Sequence, residues 1–216
     1  MAHAPSFLVE STRPGDGRPV TGRGRLWLVR HGDTEWSVSR QHTGVTDLPL
    51  VGDGERQAVA LGALLADRAF SRVLSSPLRR ARDTARLAGY PDAEVTGLLR
   101  EVDYGEYEGL TTAQIRERAP GWDLFTDGCP EGESPAQIAS RMDRLLAFAR
   151  EDGAQDDVLL FGHGHCLRAL TARYLGFPVT LGSQLRAEAG SLSILGHDHG
   201  APAILVWGER PTGLPA

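Results

Sequence analysis

Lysine is absent from the sequence, and all 23 basic residues among its 216 positions are arginine. That excludes a P-loop lysine, a pyridoxal-phosphate Schiff base and any lysine nucleophile. Asparagine is missing too, so there is no N-glycosylation acceptor. Both residues have AT-rich codons, and a GC-rich genome accounts for the two absences together. Cysteine is scarce: Cys129 and Cys166 are too few for a disulfide framework or a thiolate zinc site. Neither has a paired base in the sequence pattern, so both read as packing residues rather than nucleophiles. No apolar run reaches membrane-spanning length. Phe7-Leu8-Val9 is cut short by Glu10 and is neither a signal-peptide core nor a span, so the cytoplasm is expected, with no membrane partner. A formal net charge of −5 argues against general nucleic-acid binding, which positive charge drives.

Hydrophobic residues make up 41% of the chain and charged residues 24%, a globular balance with material for a substantial core. Residues 1–24, rich in proline and glycine without apolar periodicity, read as a mobile extension, and 211–216 as a similar tail. Between them lies one domain, 25–210, in which strand and helix patterns alternate. Strands are predicted at Leu26–Val29, Arg72–Leu74, Asp157–Phe161, Ser191–Leu195 and Ala203–Trp207, with a turn over Gly196–Gly200. Helices are predicted over Gly52–Arg68, from Pro77 to about Gly89 with Ser76 as cap, from Ser134 to about Glu151, and from the glycine-histidine run to about Leu175. Ser134 and Gln137 stand at capping-box spacing. The pattern predicts an α/β fold, a three-layer αβα sandwich with a mostly parallel central sheet and helices on both faces.

Polar clusters follow three of the predicted strands: Arg30-His31-Gly32, then Ser75-Ser76-Pro77 with Arg79 and Arg80, then His163-Gly164-His165. In open α/β sheets ligands bind beyond the carboxyl ends of strands, where helix N-termini also favour anions. Two histidines and two arginines gathered there suit a phosphate, whose oxygens match the planar arginine fork. An imidazole can attack phosphorus while arginines stabilise the charged equatorial oxygens.

RHGDTEW at 30–36, SSPLRRARDTA at 75–85, LLREVDYGEYEGL at 98–110 and FGHGHCLRAL at 161–170 resemble the histidine phosphatase superfamily, which includes the phosphoglycerate mutases. SRQHTG at 39–44 and DGCPEGES at 127–134 bring the resemblance closest to its acid-phosphatase and sedoheptulose-bisphosphatase-like members. It covers about Leu26 to Leu175, and four ordered motifs are far more specific than a lone RHG. The resemblance implies a metal-independent phosphatase without a cofactor, acting on a small phosphorylated molecule. His31 would be the nucleophile, Glu101 the general acid and then base, and His163 a catalytic and phosphate-binding residue. Arg30, Arg80, Ser37, Thr43 and Gly44 would hold the phosphate. Specificity is expected from the insertion at about 104–134, through Tyr107 and Trp122 in particular, with His165 either supporting the site or touching substrate.

Other readings remain open on the sequence. His163 with His165, or His197 with His199, has the His-x-His spacing of a metallohydrolase, although the residues that follow do not complete that pattern and 197–199 sits in a glycine-flanked turn. Arg79 and Asp83 are spaced as a surface i,i+4 pair, with Arg82 solvated. A mutase would be expected to carry arginine directly after the catalytic glutamate, where this chain has Val102. A non-catalytic binding protein on the same fold is a third alternative, since fold alone does not establish activity. The sequence leaves a homo-oligomer open.

Overall fold

The computed structural model describes residues 24–151 and 156–211. The extension predicted at 1–24 lies outside these residues except for Gly24, and so does the tail beyond Pro211. Six strands form one sheet: β1 (Leu26–Arg30), β2 (Arg72–Ser75), β3 (Glu94–Val95), β4 (Val158–Gly162), β5 (Leu192–Asp198) and β6 (Ala201–Glu209). Their order is β3-β2-β4-β1-β5-β6: β3, β2, β4 and β1 pair in parallel, and β5 runs antiparallel to both of its neighbours, β1 and β6. The helices are α1 (Glu35–Ser39), α2 (Gly52–Leu65), α3 (Arg79–Leu87), α4 (Thr112–Arg118), α5 (Leu124–Asp127), α6 (Pro135–Ala149) and α7 (Gly164–Tyr174).

Strand periodicity divides the core in two. Leu26, Leu28, Val158 and Leu160 face Met142 and Leu145 of α6 and Leu170 of α7. Trp27, Val29, Leu159 and Phe161 face the other way, onto Leu61 and Leu65 of α2 and Ala85 of α3. This is the expected three-layer arrangement, and it places a crevice. β1 and β4 are neighbours, yet α2 follows β1 on one face while α7 follows β4 on the other. Their carboxyl ends therefore open at a topological switch point.

Local signals held where the chain satisfies itself locally. The Ser134–Gln137 capping box is present at the start of α6. The Ser76 cap is corrected: α3 begins at Arg79 with Leu78 at the cap position and no side-chain cap, and Asp47 accepts the Arg79 N–H at 2.7 Å instead. Ser76 Oγ accepts the Leu78 N–H at 3.3 Å ahead of the helix and is shared with a second donor described below. The turn at 196–200 is also shorter than expected. Pairing of β5 with β6 continues through Asp198↔Ala201, leaving a two-residue hairpin in which His199 and Gly200 both have positive φ. His197 and Asp198 are thus strand residues. The insertion at 104–134 contains α4 and α5, whose Ile115, Leu124 and Phe125 enter the main core.

The turn after β1 is held against α2 by two glycines. A Cβ on Gly32 would lie 2.2 Å from the Gly54 carbonyl oxygen, and one on Gly54 would lie 2.1 Å from that of Asp33. Backbone meets backbone here, so neither side can rotate away. Gly54→Ala should therefore destabilise the fold by about 1–3 kcal/mol, lowering Tm by several degrees. Calorimetry checks this, and an unchanged Tm would mean that the turn yields freely.

Candidate active site

His31 leaves β1 with its backbone pinned on both sides: its N–H donates to Gly162 O at 3.1 Å and its carbonyl accepts from Gly190 N at 2.9 Å. The ring Nδ1 lies 2.7 Å from Gly32 O. A carbonyl only accepts, so Nδ1 carries the proton and Nε2 keeps its lone pair. Nε2 has no hydrogen-bond partner among the described residues and is not sealed from solvent. Burial, then Arg80 and Arg30, holds the His31 pKa well below 6.5 against the raising effect of the Gly32 bond, so the ring is neutral.

Arg80, from the first turn of α3, is fully buried. Its Nε donates to His163 Nδ1 at 3.1 Å, Nη1 to Thr46 O at 2.9 Å, and Nη2 to Thr43 O at 2.9 Å and Gly44 O at 3.1 Å. Because His163 Nδ1 accepts, its Nε2 is the protonated nitrogen and donates to Ser76 Oγ at 2.7 Å. Both ring nitrogens of His163 are thereby engaged. Burial, then Arg80, His31 and Arg30, keeps it neutral. The His31 and His163 rings stand 5.1 Å apart between centroids. Arg30 donates through Nη1 to Ala187 O, while its buried Nε has no partner among the described residues, a donor left over beside His31. Gly164 makes room for it, since a Cβ there would sit 3.2 Å from the Arg30 guanidinium carbon.

Glu101 is buried against the N-terminus of α7. Oε1 accepts from Val102 N at 3.0 Å and Cys166 N at 2.8 Å, and Oε2 accepts from His165 N at 3.0 Å. Oε1 has both lone pairs occupied, so a carboxyl proton can sit only on the remaining lone pair of Oε2. On its other side, Glu101 helps line a cleft of about 410 Å³ with Gly44, Val45, Arg100 and Asp103.

The loop over residues 43–46 is gripped twice. Arg80 holds its carbonyls, and Glu108 accepts the N–H groups of Gly44 at 2.9 Å and Thr46 at 3.0 Å. Nothing local in the sequence marks Glu108 for this work. Gly44 is required here, because a Cβ would lie 2.5 Å from Val102 O.

The structure thus gathers His31, Arg30, Arg80, His163 and Glu101 at the switch point. It places other expected residues differently. The Ser37 hydroxyl is committed to the α1 capping box, donating to Asp33 Oδ1 at 2.8 Å and accepting from Thr34 N. Thr43 contributes its carbonyl to Arg80, while its hydroxyl donates to Gln41 O at 3.2 Å. Tyr107 and Trp122 pack edge to face at 5.4 Å at the margin of the main core, the Trp122 N–H donates to Gly128 O, and both residues also line an open cleft of about 560 Å³ with Pro120 and Cys129. Val102 is fully buried in the same core, so an arginine there would be an unpaired buried cation. Arg79 does pair with Asp83, at 3.2 Å. Sequence reasoning missed Ser76, Tyr104 and His42. His165 binds Tyr104 OH at 2.6 Å, and the His42 ring lies 4.8 Å from that of Tyr104. Among the described residues no group of three or more His, Cys, Asp or Glu side chains converges as a metal site, and no helix is long and apolar enough to cross a membrane.

Comparison with known proteins agrees with this geometry. The model of the histidine phosphatase superfamily (branch 1) matches residues 26–210. An acid phosphatase of Mycobacterium tuberculosis is 46% identical over 193 residues, covering 88% of this chain and 94% of that protein. Sedoheptulose 1,7-bisphosphatase of Saccharomyces cerevisiae is 35% identical over 195 residues, covering 76% and 70%. Relatives from Klebsiella, Salmonella and Citrobacter that carry the name "Probable phosphoglycerate mutase GpmB" align at 32–34% identity. The solved structure of an open reading frame product from Mycobacterium tuberculosis superposes with a TM-score of 0.84 at 45% identity, covering 87% of this chain and 98% of that one.

Glu108→Ala would leave the N–H groups of Gly44 and Thr46 without their acceptor. Their hydrogen exchange should accelerate on the order of tenfold or more, while β1 and β4 keep their protection. Residue-resolved exchange by NMR measures this, and unchanged rates at 44 and 46 would show that Glu108 does not hold the loop.

Proposed function

This chain belongs to the histidine phosphatase superfamily, and we propose that it hydrolyses small phosphate monoesters through a phosphohistidine formed on Nε2 of His31. The observation that carries the reading is the His31 ring itself. Its Nδ1 proton is spent on Gly32 O, burial keeps the ring neutral, and the Nε2 lone pair stands open between two arginines. That is an imidazole prepared to attack an electrophile rather than to bind a proton.

In the first step the Nε2 lone pair forms a bond to phosphorus as the ester P–O bond breaks. Arg30 and Arg80 oppose the charge on the equatorial oxygens, and Glu101 passes its Oε2 proton to the departing alkoxide. In the second step water attacks the phosphohistidine. Glu101 takes a proton from that water, the P–N bond breaks and inorganic phosphate leaves. The positive field comes from arginine side chains, so the sequence of steps as written draws on no metal.

Hydrolysis is favoured over a mutase reaction by Val102. A mutase must bind the carboxylate of its substrate beside the glutamate, and here that position is an apolar side chain inside the core. The name of one relative, sedoheptulose 1,7-bisphosphatase, supports a sugar phosphate or related metabolite as substrate, and the proposed compartment is the cytoplasm.

His31→Ala should lose turnover by on the order of a thousandfold or more while remaining folded. Rapid acid-free quench of the wild type should trap an acid-labile phosphohistidine on residue 31. Near-normal hydrolysis by the folded variant would overturn the assignment.

Glu101→Gln cannot donate a proton, so its phosphorylation burst should fall steeply with alkyl phosphates and less with p-nitrophenyl phosphate, whose phenolate needs no acid. Burst amplitudes and rates must be compared, because slow dephosphorylation masks the difference at steady state. Equal losses with both leaving groups would assign Glu101 to positioning and send the search for the acid to Asp103 or Glu106.

A further inference from the structure

Beside Glu101 lies a group of rings that the hydrolytic steps do not use. His165 is the second residue of α7, and its backbone N–H donates to Glu101 Oε2 at 3.0 Å. Its ring Nδ1 sits 2.6 Å from Tyr104 OH and 4.0 Å from Glu101 Oε2. His42, Tyr104 and Phe125 surround that ring at centroid distances of 5.6, 5.8 and 5.6 Å. Tyr104 is fully buried, whereas the His165 side chain keeps 21% of its surface open.

Hydrogen-bond satisfaction selects one tautomer. If Nδ1 carried the proton and donated to Tyr104, the buried phenol hydrogen would have no acceptor among the described residues. If the phenol donates to Nδ1, both groups are satisfied and the imidazole proton sits on Nε2. Burial, then Glu101 and Cys129, pushes the Tyr104 pKa well above 10, so the phenol keeps its proton; burial, then Arg168, His42 and Arg30, holds His165 neutral. His165 Nε2 has no partner among the described residues and is not sealed from solvent. The result is one uncharged N–H donor on the same helical turn that holds the carboxyl facing the leaving group.

We propose that His165 is a specificity-determining donor that reads a hydroxyl on the leaving alcohol, and that Tyr104 is the positioning residue that fixes the ring with its proton on Nε2. The inference rests on the phosphatase reading and deepens it: the preferred leaving group is a polyol whose hydroxyl lies on a carbon next to the ester carbon. A neutral donor among rings suits a hydroxyl oxygen and the C–H surface of a sugar-like chain, and it discriminates against analogues that leave the donor unpaired.

Glycerol 2-phosphate and isopropyl phosphate share one carbon skeleton and differ in the neighbouring hydroxyls, so the ratio of their kcat/KM values on the full chain isolates the effect. The wild type should favour glycerol 2-phosphate. Tyr104→Phe and His165→Leu should each lower the ratio on the order of tenfold, with the loss falling on glycerol 2-phosphate. His165→Gln, which offers an N–H without a tautomer to fix, should retain most of the ratio, and adding Tyr104→Phe to it should cost nothing more. Should His165→Leu fail to fold, the Gln and Phe variants alone decide, with circular dichroism as control. Parallel losses on both substrates, or a wild-type ratio near one, would overturn the inference and leave the hydrolase standing. A wild type that turns over no phosphate monoester overturns both.

Discussion

The site depends on one buried cation. Arg80 has no exposed surface, and a guanidinium in such a place is tolerable only when its N–H groups are met. Four of its hydrogen bonds go to acceptors that belong to separate parts of the chain: the carbonyls of Thr43, Gly44 and Thr46 in the loop after α1, and the ring of His163 after β4. A single side chain on α3 therefore ties together the loop, the end of the sheet and the second histidine. It also dictates the chemistry of its neighbour. By donating to His163 Nδ1 it sends that ring's proton to Ser76, and its charge helps keep His31 unprotonated. The same residue is cross-brace, tautomer selector and source of positive field.

The acid side of the pocket is built on a different principle. Glu101 meets the open N–H groups at the start of α7, a position that favours a carboxylate without any cation in contact. The segment that carries it is braced from behind by Arg141, which donates through Nη1 to the carbonyls of Leu98 and Arg100 and pairs with Glu133. Glu133 in turn accepts the Asp103 N–H at 3.1 Å. Arginines that touch the reacting region and arginines that stiffen its frame thus have distinct partners, and substituting one kind should not imitate the other. The imidazoles at the site are all held neutral by burial, so each acts as a lone pair or a fixed donor rather than a charge.

Much of this was legible from local pattern. Strands β1 and β4 were marked by short apolar runs, helix α2 by apolar positions at helical spacing, and the start of α6 by the capping-box spacing of Ser134 and Gln137. The three polar clusters at strand ends pointed to a phosphate, and the ordered motifs around His31, Arg80, Glu101 and His163 pointed to the family. Less legible was anything in which a side chain changes partner at long range. Ser76 has the chemistry of a helix cap and its Oγ does accept the Leu78 N–H at 3.3 Å, yet the same oxygen also accepts from a histidine 87 positions away, and the helix starts only at Arg79. Ser37 matched a phosphate-loop position, yet it closes a capping box that was itself not anticipated.

The sequence by itself determined the alternation of strand and helix, the placing of reactive residues at strand ends and the membership of the chain in its superfamily. These follow from period, capping and motif order, which are properties of neighbouring residues. Only the tertiary structure decided which groups those residues meet. Tyr107 and Trp122 join the core because α4 and α5 fold their stretch over it, where burying large rings is favourable, and both still line a cleft at its margin. The tautomers of His31, His163 and His165 depend on Gly32, Arg80 and Tyr104, and for the latter two histidines those partners lie more than 60 residues away. A proton's location on a ring is set by the nearest acceptor or donor in space, and distance in space is what a linear sequence leaves open.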